Sequence, residues 1–571
     1  MKLRRRQVAL IGIALLAVGL GAWIWVTHYQ AKRAVATYKK QLVGAGEQLT
    51  IDELIPDAVP AEQNAAGIFL KASSLLNTAS TLLDTNPPYA MRMVAPGKAM
   101  IGWREPDIKL LDEPWSTNSW EEVEAALANL SKALILLHQL IEKPVMDFQL
   151  DYHQGFSLLL PHLAKTKRAS QRLSAAALCD LHRGDAASAV NNVRAMHALA
   201  KASANERLII SQLVRIAIAA IAVGPSWELL QSPDVSEEQL DTLQRDWTEL
   251  EFVEAIEYAL AMERAMGQLT LERMRNSSKE FNDIASSYGW AGRFGANNPD
   301  GWYGEAEQFV RDTWDKTKLK TKETAWRVSW SYHDELRTLK GFQVLLESAR
   351  AVRTNGIFVD ALRSQENKLA DLGIQSDQDE DMFNTSPGDL DIRSLLSQGV
   401  LSLNLVLKRV MSMEASRQMM IAAIALKRYQ LRHGIYPEDL TALTPGFLAA
   451  VPRDPVDGQP LRFRREGENS FLLYSVGENA EDDGGNPMSA NPNSKSLGMR
   501  AGRDWVWPHP ATAEEVEAYF KEKTKKRPPT GSSSPAGTPL ADQQAFMERY
   551  GLAITNAPIT QTNNPATNTS R

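Results

Sequence analysis

The 571-residue chain contains a single cysteine, Cys179, so no intrachain disulfide is available to brace it. Cys179 sits in the apolar run Ser174-Ala-Ala-Ala-Leu-Cys179, where a packing thiol is expected rather than a nucleophile. The formal net charge is only -6 and no basic stripe is present, which argues against a nucleic-acid surface. The sequence has no His-Glu-x-x-His, no Walker A loop, no Gly-x-Ser-x-Gly and no Cys-x-x-Cys. His138, His153, His162, His182 and His197 are spread through one region without two on adjacent helical turns, so structural or surface roles are expected for them. Asp377, Asp379 and Asp381 have the spacing of a calcium loop. The sixth position is Met382 rather than Gly and the twelfth is Gly388 rather than Glu, which removes that assignment.

What is present begins at the N-terminus. Lys2, Arg4, Arg5 and Arg6 precede an uncharged run from Gln7 to Gln30, whose apolar heart is Val8 to Val26. At about 1.5 Å per residue that heart reaches roughly 28 Å, close to the hydrocarbon thickness of a bilayer. Trp23, Trp25 and Tyr29 mark the far interface, and the basic cluster stays in the cytoplasm. The expectation is a single-pass anchor in a bacterial inner membrane with the bulk of the chain periplasmic. A cleaved signal is disfavoured because the run ends in Trp-Ile-Trp-Val, a poor cleavage context. A second apolar run, Ile209 to Val223, carries Gln212 and Arg215 and is expected as a buried core helix.

The fold class expected is mainly α. A transmembrane helix leads into an extracytoplasmic helical-hairpin domain, then a small α+β module and a disordered tail. The divisions are 1–30 for the basic flank and anchor, 31–370 for the helical domain, and 371–391 for an acidic linker with seven acids and no base. Residues 392–508 form the α+β module and 509–571 the largely disordered tail. Within the helical domain, Arg183-Gly184-Asp185 breaks two helices into an antiparallel hairpin, with Asp185 as N-cap. Pro225 and Pro233 bracket a further break, and Ser236-Glu-Glu-Gln-Leu240 opens the next helix. Asn276 to Gly304 is a Gly- and Asn-rich loop, and Trp326 and Trp330 share a helix face suited to core packing.

The most specific stretch is the module. A long helix ends at Gly434, Pro437 to Leu443 reads as a short helix, and 461–464 and 470–475 form a hairpin. Tyr429, His433-Gly434, Tyr436-Pro437, Asp454-Pro455, Asp457-Gly458 and Tyr474-Ser475-Val476-Gly477, followed by an acidic, glycine-rich loop, make this stretch resemble the C-terminal part of the major pseudopilin of type II secretion systems. In that family the acidic loop binds calcium. The resemblance therefore implies Ser475, Asp482 and Asp483 as metal ligands, with backbone carbonyls completing the shell. A solvated acidic turn accounts for the same residues. The chain departs from the family in having no leader-peptidase site and in placing the module far from the membrane helix. The whole layout also looks like a group of membrane-anchored envelope proteins of planctomycete- and verrucomicrobia-type bacteria. That second likeness rests on the Gly46 to Leu54 run, Glu62-Gln-Asn64-Ala-Ala, Ile210 to Arg215 and Asp504-Trp-Val-Trp507-Pro508, and it brings no activity with it.

Two functional expectations follow. The first is a non-catalytic envelope scaffold that binds a protein partner, with a role linked to secretion. The alternative is an exported hydrolase whose site is assembled from distant residues.

Overall fold

The computed structural model describes residues 5–76, 82–83, 87–109, 117–143, 145–287, 319–374, 396–397, 399–491 and 496–525. Trp115, the loop beyond 287 up to Gly304, the calcium-like triplet at 377–381 and the tail from 526 lie outside the described residues, as does the acidic linker beyond 374.

Helix α1 runs unbroken from Arg5 to Gly44. The expected anchor and its helical continuation are therefore one rod, about 60 Å long at about 1.5 Å per residue. Its apolar part is bare, with Leu15, Leu16 and Val18 at 67%, 75% and 70% exposure. Further along, Ala31, Val35 and Leu42 turn inward and are buried. By length and composition α1 qualifies as a membrane span. So does helix α8 (Ile209–Leu230), yet its apolar window is 78% buried. Its long polar side chains Gln212 and Arg215 are satisfied internally. Gln212 Nε2 donates to the Glu206 carbonyl at 2.6 Å, and Arg215 Nε donates to the Ala200 carbonyl at 2.8 Å. As expected, α8 is a core helix. Pro225 does not end it, however, and the helix continues to Leu230. Gly224 is required beside it, because a Cβ there would lie 2.8 Å from Ala90 Cβ.

Between these two rods lie helices α2 (Ile51–Leu54), α3 (Ala66–Leu76), α4 (Trp120–Ala128) and α5 (Ser131–His138), then the hairpin α6 (Pro161–His182) and α7 (Ala186–Ala202). The hairpin forms as expected. Gly184 takes φ +76°, and the Asp185 carboxylate accepts from the Ser188 amide at 3.0 Å. Alanines 169, 175, 176, 177, 189 and 195 line the buried faces, so the two backbones approach closely. Cys179 is buried, as expected of a packing thiol.

After α8 come α9 (Glu237–Thr248), opened by the Ser236 capping box, and α10 (Val253–Asn276), α11 (Ser278–Ser287), α12 (Ser331–Asn355) and α13 (Phe358–Asp371). A π-helical turn, Trp326–Trp330, precedes α12. Trp326 is fully buried against Phe281, in keeping with core packing.

The last part opens with α14 (Gly399–His433), which Gly434 stops at φ +80°. The short second helix expected over 437–443 is only a 3-10 turn, Leu440–Leu443. Earlier in the chain the described residues include four short strands in two antiparallel pairs, β1 (Arg92–Ala95) with β2 (Lys98–Met100) and β3 (Ile108–Lys109) with β4 (Thr117–Asn118). The expected hairpin is β5 (Arg462–Arg465) antiparallel to β6 (Phe471–Ser475), and β7 (Trp505–Val506) extends it. Strand β8 (His509–Pro510) leaves this sheet and pairs in parallel with β2, joining residues about 400 apart along the chain. Helix α15 (Ala513–Lys525) then packs Val516 and Phe520 against Val94 and Met100. Residues 509–525, assigned from the sequence to the disordered tail, are thus folded onto the first sheet. Apolar side chains from Ile51 to Trp507 form one continuous cluster, so the module shares a core with the helical region. Trp227 Nε1 donates to the Pro508 carbonyl at 2.9 Å and Gln244 to the Phe447 carbonyl at 2.8 Å across that junction.

Candidate functional site

The acidic loop after β6 is built around two buried carboxylates. Asp454 is fully buried. Its Oδ1 accepts from the Ser475 hydroxyl at 2.8 Å and the Val456 amide at 3.0 Å, and its Oδ2 accepts from the Val476 amide at 2.9 Å. Burial raises its pKa against these bonds. Asp504, also fully buried, accepts from the amides of Gly485 and Asn486 at 2.8 and 2.9 Å. The loop is therefore wrapped round an internal carboxylate. Gly477, at φ +70°, has no room for a side chain: a Cβ would lie 2.3 Å from the Arg503 carbonyl oxygen.

The three residues implied as calcium ligands point to different partners. Ser475 is buried and turned inward to Asp454. Asp482 accepts from the Tyr474 hydroxyl at 2.8 Å and the Gly484 amide at 3.0 Å, and the Tyr474 bond, ahead of the others, lowers its pKa. Asp483 accepts from Asn479 at 2.9 Å and from Arg503 at 3.3 Å. The positive centre of the region is Arg462, whose guanidinium reaches Asp457 at 2.6 Å, Asp454 at 3.3 Å and Asp482 at 3.5 Å. As they stand, the donors do not converge. Among the described residues no cluster of three or more His, Cys, Asp or Glu is arranged to hold a metal ion.

A second constellation joins α1 to the body. Glu47, just past the helix end, accepts from Arg264 Nη2 at 2.8 Å, Gln343 Nε2 at 3.1 Å and both terminal nitrogens of Arg350. Burial pushes its carboxyl upward, but the Arg350 and Arg264 bonds outweigh it and hold the pKa at about 2. Arg350 and Arg353 continue the network to Glu257. Lys39 pairs with Glu335 at 2.6 Å one step nearer the apolar segment.

Two grooves occur among the described residues. A groove of about 590 Å³ lies beside the α6–α7 turn. There His138 Nε2 lies 2.8 Å from Asn192 Oδ1, and Asn192 Nδ2 donates to Asp180 at 2.7 Å. Burial, then the neighbouring Asp185, pushes Asp180 up to about 6, and burial pushes the Cys179 thiol up to about 11. Cys179 is therefore a thiol at neutral pH rather than a nucleophile. A more open groove of about 800 Å³ is lined by Asp151, His153, Arg273 and Glu280, and His153 pairs with Asp52 at 3.1 Å.

Three other histidines hold structure. His197 is buried against the Trp247 ring at 4.5 Å, and burial pushes it down to about 3. His162 pairs with Glu206 at 2.8 Å and stacks on Phe148 at 4.2 Å. His182 Nδ1 donates to the Trp103 carbonyl at 2.8 Å, and the ring stacks on Trp120. The sequence carried no signal for Glu47, Asp454 and Asp504 as buried hubs, because their partners come from distant elements. No protein-family model matches the chain, and neither curated proteins nor solved structures show a match.

Proposed function

We propose that this protein is a non-catalytic scaffold of the bacterial envelope, anchored by α1 in the inner membrane, which holds its folded body in the periplasm for a protein partner linked to secretion. The observation that carries the reading is the rigid join. The bare apolar segment and the body are connected by one unbroken helix, closed at its end by Glu47 on Arg264 and Arg350. A hinge-free stalk of this kind fixes the height and orientation of what it carries. The basic N-terminal cluster favours the cytoplasm, which supports the periplasmic placement of the body. The pseudopilin-like succession of Tyr436-Pro437, Asp454-Pro455 and Ser475-Val476-Gly477 supports a partner in the secretion machinery and calcium at Asp482, Asp483 and Ser475.

Carbonate washing and a fused reporter test the placement. The full-length chain should stay with the membrane pellet, and a phosphatase fused after residue 525 should be active. Release by carbonate, or activity only from a cytosolic reporter, overturns it. For the partner, cross-linking in native membranes should trap the protein in a larger complex. A chain recovered only as an unpartnered monomer counts against the scaffold.

The second reading, an exported hydrolase, is favoured by the His138–Asn192–Asp180 chain in its groove. Replacing His138 by Ala should abolish any ester or peptide hydrolysis by the purified chain. Absence of any hydrolysis by the wild-type chain removes this reading, and activity that survives His138→Ala and Asp180→Asn removes this groove as its site.

A further inference from the structure

The side of α1 that meets the body does not begin where the apolar run stops. Ile24, Thr27 and His28 are partly covered, and Ala31 and Val35 are buried. These positions follow helical spacing and form one stripe. Ile24 lies inside the apolar segment that ends at Val26, so the partly covered stripe begins within that segment. The element packed there is the π-helical turn Trp326–Trp330 with the start of α12. The His28 ring meets Tyr332 edge-on at 5.0 Å, and Lys32 lies over the same ring at 5.8 Å.

The level follows from the helix rise. His28 is two residues past Val26, about 3 Å along the axis. The headgroup region is roughly 5–8 Å deep on each side of the hydrocarbon. Tyr332 and the turn before it therefore fall within the headgroup layer. α12 runs parallel to α1 from that point. Tyr332 is level with His28, while Gln343 and Arg350 meet Glu47 at the far end. The turn interrupts a helix that already runs over 319–325, and it lies beside His28 at this level.

Its chemistry suits that position. Trp326 is fully buried, with its Nε1 donating to Asp334 at 3.3 Å, and fixes the turn from within. Two residues on, Val328 is 50% exposed, a large apolar side chain presented outward. Trp330 is half-buried beside it. Lys32 and Arg275 both lie over the Tyr332 ring, and Arg275 pairs with Glu335. An exposed apolar side chain, an amphipathic ring and a nearby cationic side chain are the ingredients of contact with an anionic lipid surface.

We propose that the Trp326–Trp330 turn is a second contact with the bilayer, in which Val328, flanked by Trp330, sits in the headgroup and upper-chain region of the periplasmic leaflet beside the anchor. The proposal rests on the reading of α1 as a membrane span. Together the span and the turn hold the body at two points, which stops it from rotating about the helix axis.

The test uses the full chain in vesicles of mixed zwitterionic and anionic phospholipid, with Cys179→Ala to remove the native thiol. A fluorophore is placed singly through Leu15→Cys, Val328→Cys or Ile435→Cys, with Ser329→Cys as a second reporter on the turn. Quenching is read with lipids carrying a nitroxide either near the headgroup or at the chain end. The Leu15 label should be quenched by the chain-end nitroxide, the Val328 and Ser329 labels by the headgroup-level nitroxide, and the Ile435 label by neither. Quenching of Leu15 with Val328 and Ser329 as untouched as Ile435 overturns the second contact and leaves the anchor standing. If Leu15 itself escapes quenching, the anchor reading fails first.

Discussion

Glu47 Oε2 accepts a hydrogen bond from Arg264 Nη2 at 2.8 Å, across 217 residues of chain. The Arg264 side chain is 1% exposed, so this carboxylate and the helix that delivers it are what neutralise a buried guanidinium. The relationship ties the end of α1 to the core of the body. A charge buried in this way is costly once its partner is lost, whatever the pair contributes when intact.

Replacing Glu47 with Gln should therefore destabilise the detergent-solubilised protein by about 3 kcal/mol, measured by chemical unfolding. Because the folded pKa is depressed to about 2 from 4.5, the contribution is full above pH 4.5 and fades as pH falls through about 2. The wild type should lose more stability than Glu47→Gln over that acid range. Equal acid sensitivity in the two proteins would show that the clasp does not hold α1.

Glu228 behaves in the opposite sense. It is fully buried at the end of α8, where it accepts from the Met91 amide at 2.8 Å and the Gly102 amide at 2.9 Å. Burial pushes its carboxyl from 4.5 up to about 7, against the pull of those amides. The folded state thus holds a proton that the unfolded state releases. Stability is full below pH 4.5 and declines as pH rises through about 7, by up to about 3 kcal/mol. Glu228→Gln should flatten the stability profile between those pH values. An unchanged slope would place the titration elsewhere.

Gly477 and Gly184 both adopt left-handed backbone, at φ +70° and +76°. Only Gly477 is also hemmed in, since a Cβ would meet the Arg503 carbonyl, while Gly184 has nothing within 4 Å. Gly184→Ala should cost about 1 kcal/mol, the backbone penalty alone. Gly477→Ala should cost about 3 kcal/mol or more and release the loop that encloses Asp504. Thermal melting together with amide exchange of residues 477–486 separates the two.

Calcium at the module makes a plain prediction. The melting temperature of the full chain should rise at millimolar calcium, and Asp482→Ala should erase the rise, because a ligand that binds only the folded state stabilises it by mass action. Since Arg462 already bridges Asp454, Asp457 and Asp482, Arg462→Ala should strengthen the calcium response by freeing those carboxylates. No change in melting temperature in wild type and in Arg462→Ala withdraws the ion from the proposal.

Much of the architecture was legible from local pattern. The apolar run at Val8 to Val26, the Gly184-Asp185 turn, the Ser236 cap, the Gly434 stop and the alternation in Phe471 to Ser475 each act within a few residues, and a sequence displays such short-range determinants openly. Arg215 and Gln212 likewise warned that Ile209 to Leu230 belongs in a protein core. Other features depended on which distant groups meet. Pro225 could stay in its helix, Ser475 turned to Asp454 instead of outward, and β8 crossed to β2 to fold 509–525 onto the first sheet. Glu47, Glu228 and Asp504 became buried hubs only because amides and guanidinium groups from far along the chain converge on them. Burial and pairing at long range are properties of the assembled core, since desolvation and hydrogen-bond partners exist only once the elements are packed together.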